Sequence, residues 1–244
     1  MNWRPDRLVI GVVLLTLGIV LAGWFIGHGF AEGRSGERYV TVKGVSERPA
    51  DADLALWPLS HVATDDDLAL AQAAIEADTR RILAFLARHG LDTSQARIQS
   101  LEVTDKLADP YRTGPMGNRF IITQTIMLRS DKPELVQAAS REVGELVNAG
   151  VVLSTGGRFG PGLPTYLFTR LNDFKPEMIA EATASAREAA EQFAADSRSE
   201  LGPIRRANQG VFVILPRDQA PGTSEENQLS KTIRVVSTIE YYLE

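Results

Sequence analysis

The sequence predicts an α+β protein of mostly antiparallel sheets, with three long helices packed on them and one transmembrane helix in front. Three observations carry that reading. Residues Leu8 to Ile26 are continuously apolar. Further on, stretches that alternate apolar and polar residues are interleaved with stretches whose apolar residues recur at helical spacing. The two kinds of stretch succeed one another in the order ββαββαββαββ.

The first element is the apolar run LVIGVVLLTLGIVLAGWFI, which has no charged residue and only Thr16 as a clearly polar one. At about 1.5 Å per residue a helix over it spans roughly 28 Å, the thickness of a bilayer's hydrocarbon. Arg4 and Arg7 precede it, opposed by Asp6, so the positive-inside rule keeps residues 1–7 in the cytoplasm and exports the rest of the chain. Trp3 and Trp24 fall where aromatic rings sit at headgroup level. The competing reading is a signal peptide cleaved after Gly29-Phe30-Ala31, but the run exceeds the roughly 7–15 apolar residues of such a segment. Gly18 with Ala22, and Gly23 with Gly27, have helix-packing spacing. The expected organisation is therefore a cytoplasmic N-terminus (1–7), an anchor (8–26), a flexible glycine-rich tether (27–38) and an exported domain (39–244).

Within the exported domain, Tyr39–Val45 reads as a strand and Leu54–Val62 as its partner, with Pro58 marking an edge or a bulge. Asp65-Asp66-Asp67 lack the alternating spacing of a calcium loop and fit an N-cap with an acidic first helical turn. Leu68, Ala71, Ile75, Ile82 and Leu86 form the stripe of that helix, closed by Gly90. Ile98–Thr104 and Phe120–Leu128 read as strands, joined by a turn-rich loop, Ala108–Asn118. Asp131, Pro133 and Glu134 start a second helix that stops at Gly150. Val151–Leu153 and Leu163–Leu171 read as strands around a hairpin turn, Gly156–Gly162. The third helix runs from Asn172 to about Arg198, its inner stripe mostly alanine, which permits close approach to a sheet. Val211–Leu215 and Thr232–Leu243 complete the strands, with Pro216–Asn227 a mobile polar loop between them.

Composition removes several function classes. There is no cysteine, so disulfides, thiol catalysis and cysteine–metal clusters are excluded. The net charge of −5 argues against a nucleic-acid partner. No G-x-S-x-G, H-E-x-x-H or dinucleotide fingerprint occurs, and no catalytic residue, metal ligand or cofactor is assigned. Of the three histidines, His28 sits at the membrane boundary and His89 at a helix end, which leaves His61 as the one to test as a ligand. Tyr111, Arg112, Arg158 and Phe159, on the two glycine-rich loops, are the candidate ligand-binding residues for a small or lipidic molecule.

Four stretches resemble one family. They are Tyr39-Val-Thr-Val-Lys-Gly-Val-Ser-Glu-Arg-Pro-Ala-Asp51; the helix after it, with Gly90-Leu91 and Arg97-Ile98; the alanine-rich Met178–Ala194 ending in Leu201-Gly202-Pro203-Ile204; and the closing Thr232–Leu243. Together they resemble the SIMPL domain family of bacterial exported proteins. The resemblance implies an exported α/β domain without known catalytic residues, linked loosely to envelope integrity and oxidative-stress defence, with self-assembly in some relatives. The expected function is thus a non-enzymatic, membrane-anchored periplasmic envelope protein. It would act as a homo-oligomer or by binding another envelope protein, with a ligand-binding module as the alternative and an uncharacterised enzyme as the third reading.

Overall fold

The computed structural model describes residues 5–34, 38–108, 117–154 and 162–244. Its elements are α1 (Pro5–Arg34), β1 (Tyr39–Asp51), β2 (Leu54–Asp65), α2 (Leu68–Arg88), β3 (Ala96–Asp105), β4 (Phe120–Ser130), α3 (Pro133–Arg141), α4 (Gly144–Asn148), β5 (Thr165–Leu167), α5 (Leu171–Ser197), β6 (Leu201–Gln209), β7 (Val213–Pro216) and β8 (Ser230–Leu243). The strands form two sheets, one in the order β3-β4-β2-β5 and one in the order β1-β8-β6, with β7 also on β8. The α+β class stands. The chain divides into two compact units, and β1, α5, β6 and β8 contribute residues to both.

The larger unit comprises Gly44–Ser185 and Gln209–Ser237. Its main core sets Ala55, Trp57 and Leu59 of β2 and Ile126 and Leu128 of β4 against Ile82, Phe85 and Leu86 of α2 and Val136 of α3. Each such large side chain contributes roughly 1.5–3 kcal/mol by leaving water. Trp57 meets Phe85 edge-on with ring centroids 6.3 Å apart, and its indole N–H donates to the Gly162 carbonyl at 3.0 Å.

The sequence expectation that Pro58 marks an edge or bulge holds in part: the β2–β4 ladder runs through Pro58 without a bulge, and on the other side β5 pairs with Leu54–Leu56 and stops short of Pro58. Val62 donates to Val152 O, and Ser60 O accepts from Ser154 N. Backbone groups alternate sides along a strand, so Pro58, two residues before Ser60, turns its missing N–H toward that same side. It removes nothing from the ladder with β4. The expected strand Val151–Leu153 contracts to one bridge, His61 with Leu153, and Leu163–Leu171 contracts to β5.

Helix ends explain other boundaries. Asp67 caps α2, accepting from Ala69 N at 2.7 Å and Leu70 N at 3.3 Å. The aspartates therefore precede the helix and do not form its first turn. Gly90 takes φ +75°, and Leu91 N donates to Leu86 O while Gly90 N donates to Ala87 O, the double bond of a Schellman stop. The second predicted helix is broken into α3 and α4: Glu142 N reaches back only to Ala139 O, and Gly144, a poor helix former, starts the new turn. The loop before β8 is tied down. Gln228 donates to Asp218 O at 2.8 Å, and buried Lys231 donates to Glu225 O at 2.6 Å and pairs with the Glu225 carboxylate.

The smaller unit comprises Met1–Lys43, Ala186–Asn208 and Thr238–Glu244. Val40 and Val42 of β1 and Ile239 and Tyr241 of β8 pack on Ala186 and Ala190 of α5. In the larger unit the same helix offers Met178 and Ala182 to Ile233 and Val235. From Ala182 to Ala194 alanine every fourth residue leaves only methyl groups on that face, which permits close approach to the strands. Strand β6 is absent from the expected element order. Gly202, Pro203 and two arginines suggest a surface loop, and nearly every residue is exposed, so no alternation announces it; its place on β8 makes it a strand. Helix α1 extends through Arg34, so eight residues expected in the flexible tether are helical. Arg198 ends α5 at φ +55°, the one non-glycine residue at positive φ among the described residues.

Two stability changes are expected from this packing. Ala186→Leu overfills the contact and lowers unfolding free energy by about 1–3 kcal/mol, whereas Ala189→Leu on the exposed side stays within about 0.5 kcal/mol, both read by urea denaturation. Arg198→Gly relieves the left-handed backbone and raises stability by roughly 1 kcal/mol in the same assay.

Candidate functional site

Helix α1 is the most distinctive functional feature. Gly11–Gly29 has a mean hydropathy of 1.9 and none of it is buried against protein. Leu14, Ile19, Val20 and Phe25 are each more than 60% exposed, so the helix has no core to serve. Thr16 settles its hydroxyl on the helix's own backbone, donating to Val12 O at 2.5 Å. This is how a lone hydroxyl is made compatible with lipid.

In the larger unit a polar line crosses the core. His61 of β2 is wholly buried. Gln124 of β4 donates through Nε2 to Thr79 Oγ1 at 2.7 Å, and Thr79 of α2 donates to Ile75 O at 2.9 Å. Its hydroxyl proton thus spent, Thr79 can only accept from His61 Nε2, which lies 3.4 Å away. The other ring nitrogen, Nδ1, has no hydrogen-bond partner among the described residues. Burial pushes the His61 pKa down from its ordinary 6.5; the backbone at Leu59 and Ile75 and the charge of Asp78 pull weakly the other way. Asp78 itself is engaged by Arg81 at 2.5 Å. No group of three or more His, Cys, Asp or Glu residues able to hold a metal occurs among the described residues. The ligand role considered for His61 is replaced by that of a neutral core histidine.

Elsewhere in the same unit, Arg48 of β1 forks between Glu177 and Glu181 of α5, with Glu177 at 2.7 Å. Ser46 donates to Glu181 at 2.7 Å. Hydrogen bonds from Arg48 draw both carboxylates below their usual pKa and raise that of the guanidinium. This cluster fastens strand to helix and leaves no carboxyl poised for proton transfer. A polar pocket of about 220 Å³ is lined by Asp92, Gln95, Arg129, Asp131 and Lys132, smaller than the roughly 300–1,000 Å³ of drug-sized ligand sites. In the smaller unit Arg205 lies 4.2 Å above the Tyr39 ring and pairs with Glu240 at 3.0 Å.

Tyr111, Arg112, Arg158 and Phe159 lie outside the described residues, so the loop-borne ligand site receives no geometry. Sequence reasoning missed Lys231, although the inward phase of β8 (Ile233, Val235, Ile239, Tyr241) extends back to it and could have marked it as buried. His28 stacks on Trp24 with centroids 5.7 Å apart, and His89 rests on Phe85 at 4.5 Å.

These features define an α+β domain carried behind an apolar helix long enough to cross a bilayer. A family model described as "SIMPL: Protein of unknown function (DUF541)" matches residues 40–240. The chain belongs to the SIMPL family. A comparison with curated proteins finds no match.

The buried imidazole sets a pH dependence. Because its folded pKa lies below the unfolded value, its stabilising contribution is complete above about pH 6.5. That contribution is lost as pH falls through the folded value, since the unfolded chain binds the proton first. Urea midpoints measured from pH 8 down to pH 5 should therefore fall more steeply for the native protein than for His61→Gln.

Proposed function

We propose that this SIMPL protein is a non-enzymatic envelope protein, anchored in the bacterial inner membrane by α1, with its folded domain in the periplasm. It acts there by self-assembly or by binding another envelope component. The observation that carries the reading is the wholly exposed apolar span Gly11–Gly29, which in water would leave a large apolar surface bare. The arginines before it support an inward N-terminus. Retention, as opposed to cleavage after Ala31, is supported by the helix continuing to Arg34, since a protease must open the backbone hydrogen bonds that a helix closes.

The non-enzymatic part is supported by the way the titratable side chains are used. His61 is sealed in the core and Arg48 holds Glu177 and Glu181 in an ion pair, so these groups serve packing. The family resemblance adds a role in envelope integrity or oxidative-stress defence.

Cell fractionation and N-terminal sequencing test the anchor. The protein should stay with the membranes through alkaline carbonate extraction and be released by detergent, with a start upstream of Leu8. A C-terminal alkaline phosphatase fusion should be active. A mature chain starting at Glu32 in the soluble periplasm overturns the anchored form.

A further inference from the structure

Strand β3 carries Ile98, Leu101 and Val103 on a face that the described residues leave about half exposed, while Ala96 at its start packs against the core. Its register with β4 sets Val103 opposite Ile122, Leu101 opposite Gln124, Ile98 opposite Ile126 and Ala96 opposite Leu128. Directly paired residues in an antiparallel ladder point to the same side, and those four β4 residues are all buried. Ile126 and Leu128 belong to the core beneath α2. The β3 residues therefore face the same way as the core, yet Ile98, Leu101 and Val103 are 61%, 50% and 48% exposed. The shift that skips Gln99 keeps Ile98 and Leu101, three positions apart, on one face.

The far edge of β3 is also open. Among the described residues β4 is the one strand paired with it. Ala96–Asp105 has neither the proline nor the lysine that commonly blunts an edge. Its charges are distributed with opposite signs at its two ends. Arg97 lies near the start and Glu102 past the middle, both exposed, on the side opposite the apolar shelf.

We propose that β3 pairs antiparallel with β3 of a second copy of this chain, joining two four-stranded sheets about a two-fold axis. The inference rests on the self-assembly reading above and names its surface. The register that sets Arg97 of one copy opposite Glu102 of the other also sets Ile98 opposite Leu101 and Ala96 opposite Val103. Two-fold symmetry makes each of these pairs occur twice. Like faces meet at each of these pairs: the ion pairs lie on one side of the joined sheet, and the apolar residues lie together on the other. Parallel pairing in register would instead set Arg97 against Arg97 and Glu102 against Glu102, which repel.

Charge reversal tests this directly. The full chain in detergent micelles is compared by sedimentation as the native protein, Arg97→Glu, Glu102→Arg and the double variant R97E/E102R. Circular dichroism checks that these exposed substitutions leave the fold intact. Each single reversal should weaken self-association about tenfold or more, and the double variant should return to within about threefold of the native protein. Native assemblies that both single variants preserve would overturn the β3 interface while leaving self-assembly standing. Weakening without recovery in the double variant overturns the Arg97–Glu102 register. A native protein that is monomeric at all concentrations overturns this interface and the self-assembly reading together.

Discussion

The pairing of β2 with β4, from Ala55 opposite Ser130 to Asp65 opposite Phe120, is the constraint on which the larger unit depends. A strand's side chains alternate strictly, so this one register decides every residue that faces α2. Ala55, Trp57, Leu59, His61 and Ala63 share that face, and Ile122, Gln124, Ile126 and Leu128 arrive beside them. A slip of β2 by one residue would turn Pro58 and Ser60 toward the helix and carry Trp57 and Leu59 to the other face of the sheet. The same register passes outward through β4 to β3, so the half-exposed shelf of Ile98, Leu101 and Val103 is a consequence of the core's own arrangement.

The buried polar line arises from that placement too. His61 and Gln124 occupy inward positions because their strands leave them no alternative, and Thr79 meets them from α2. The interior keeps them by satisfying all but one atom, His61 Nδ1, and by holding the imidazole neutral. Burying a charged ring there would cost far more than burying a neutral one. On the other sheet the accommodation is steric: alanines on α5 reduce the helix surface to methyl groups, and Arg48 supplies the ionic fastening beside them.

These features describe a protein whose charges hold it together and whose uncovered apolar surfaces face outward. α1 presents one such surface suited to lipid. β3 presents another, flanked by complementary charges and suited to a protein edge. Both are places where folding of one chain leaves burial incomplete, and together they direct the functional reading toward location and association.

The sequence by itself determined the elements whose signal is local. The apolar run of α1, the stripe of α2 with its Asp67 cap and Gly90 stop, the alternation of β4 and the alanine face of α5 were all legible, as was the α+β class. Each arises from side-chain period or terminal hydrogen bonding within a few residues. Only the tertiary structure decided that the β2–β4 ladder runs through Pro58 without a bulge, because the direction of a missing N–H depends on which neighbour lies on that side. It alone made Leu201–Gln209 a strand, since an exposed edge is recruited by backbone bonds to β8 and carries no side-chain pattern. It alone turned His61 from a possible ligand into a sealed core residue and left Ile98, Leu101 and Val103 of β3 about half exposed. Burial and exposure of this kind are set by partners far away in the chain, and a single sequence shows the residues but not what they will meet.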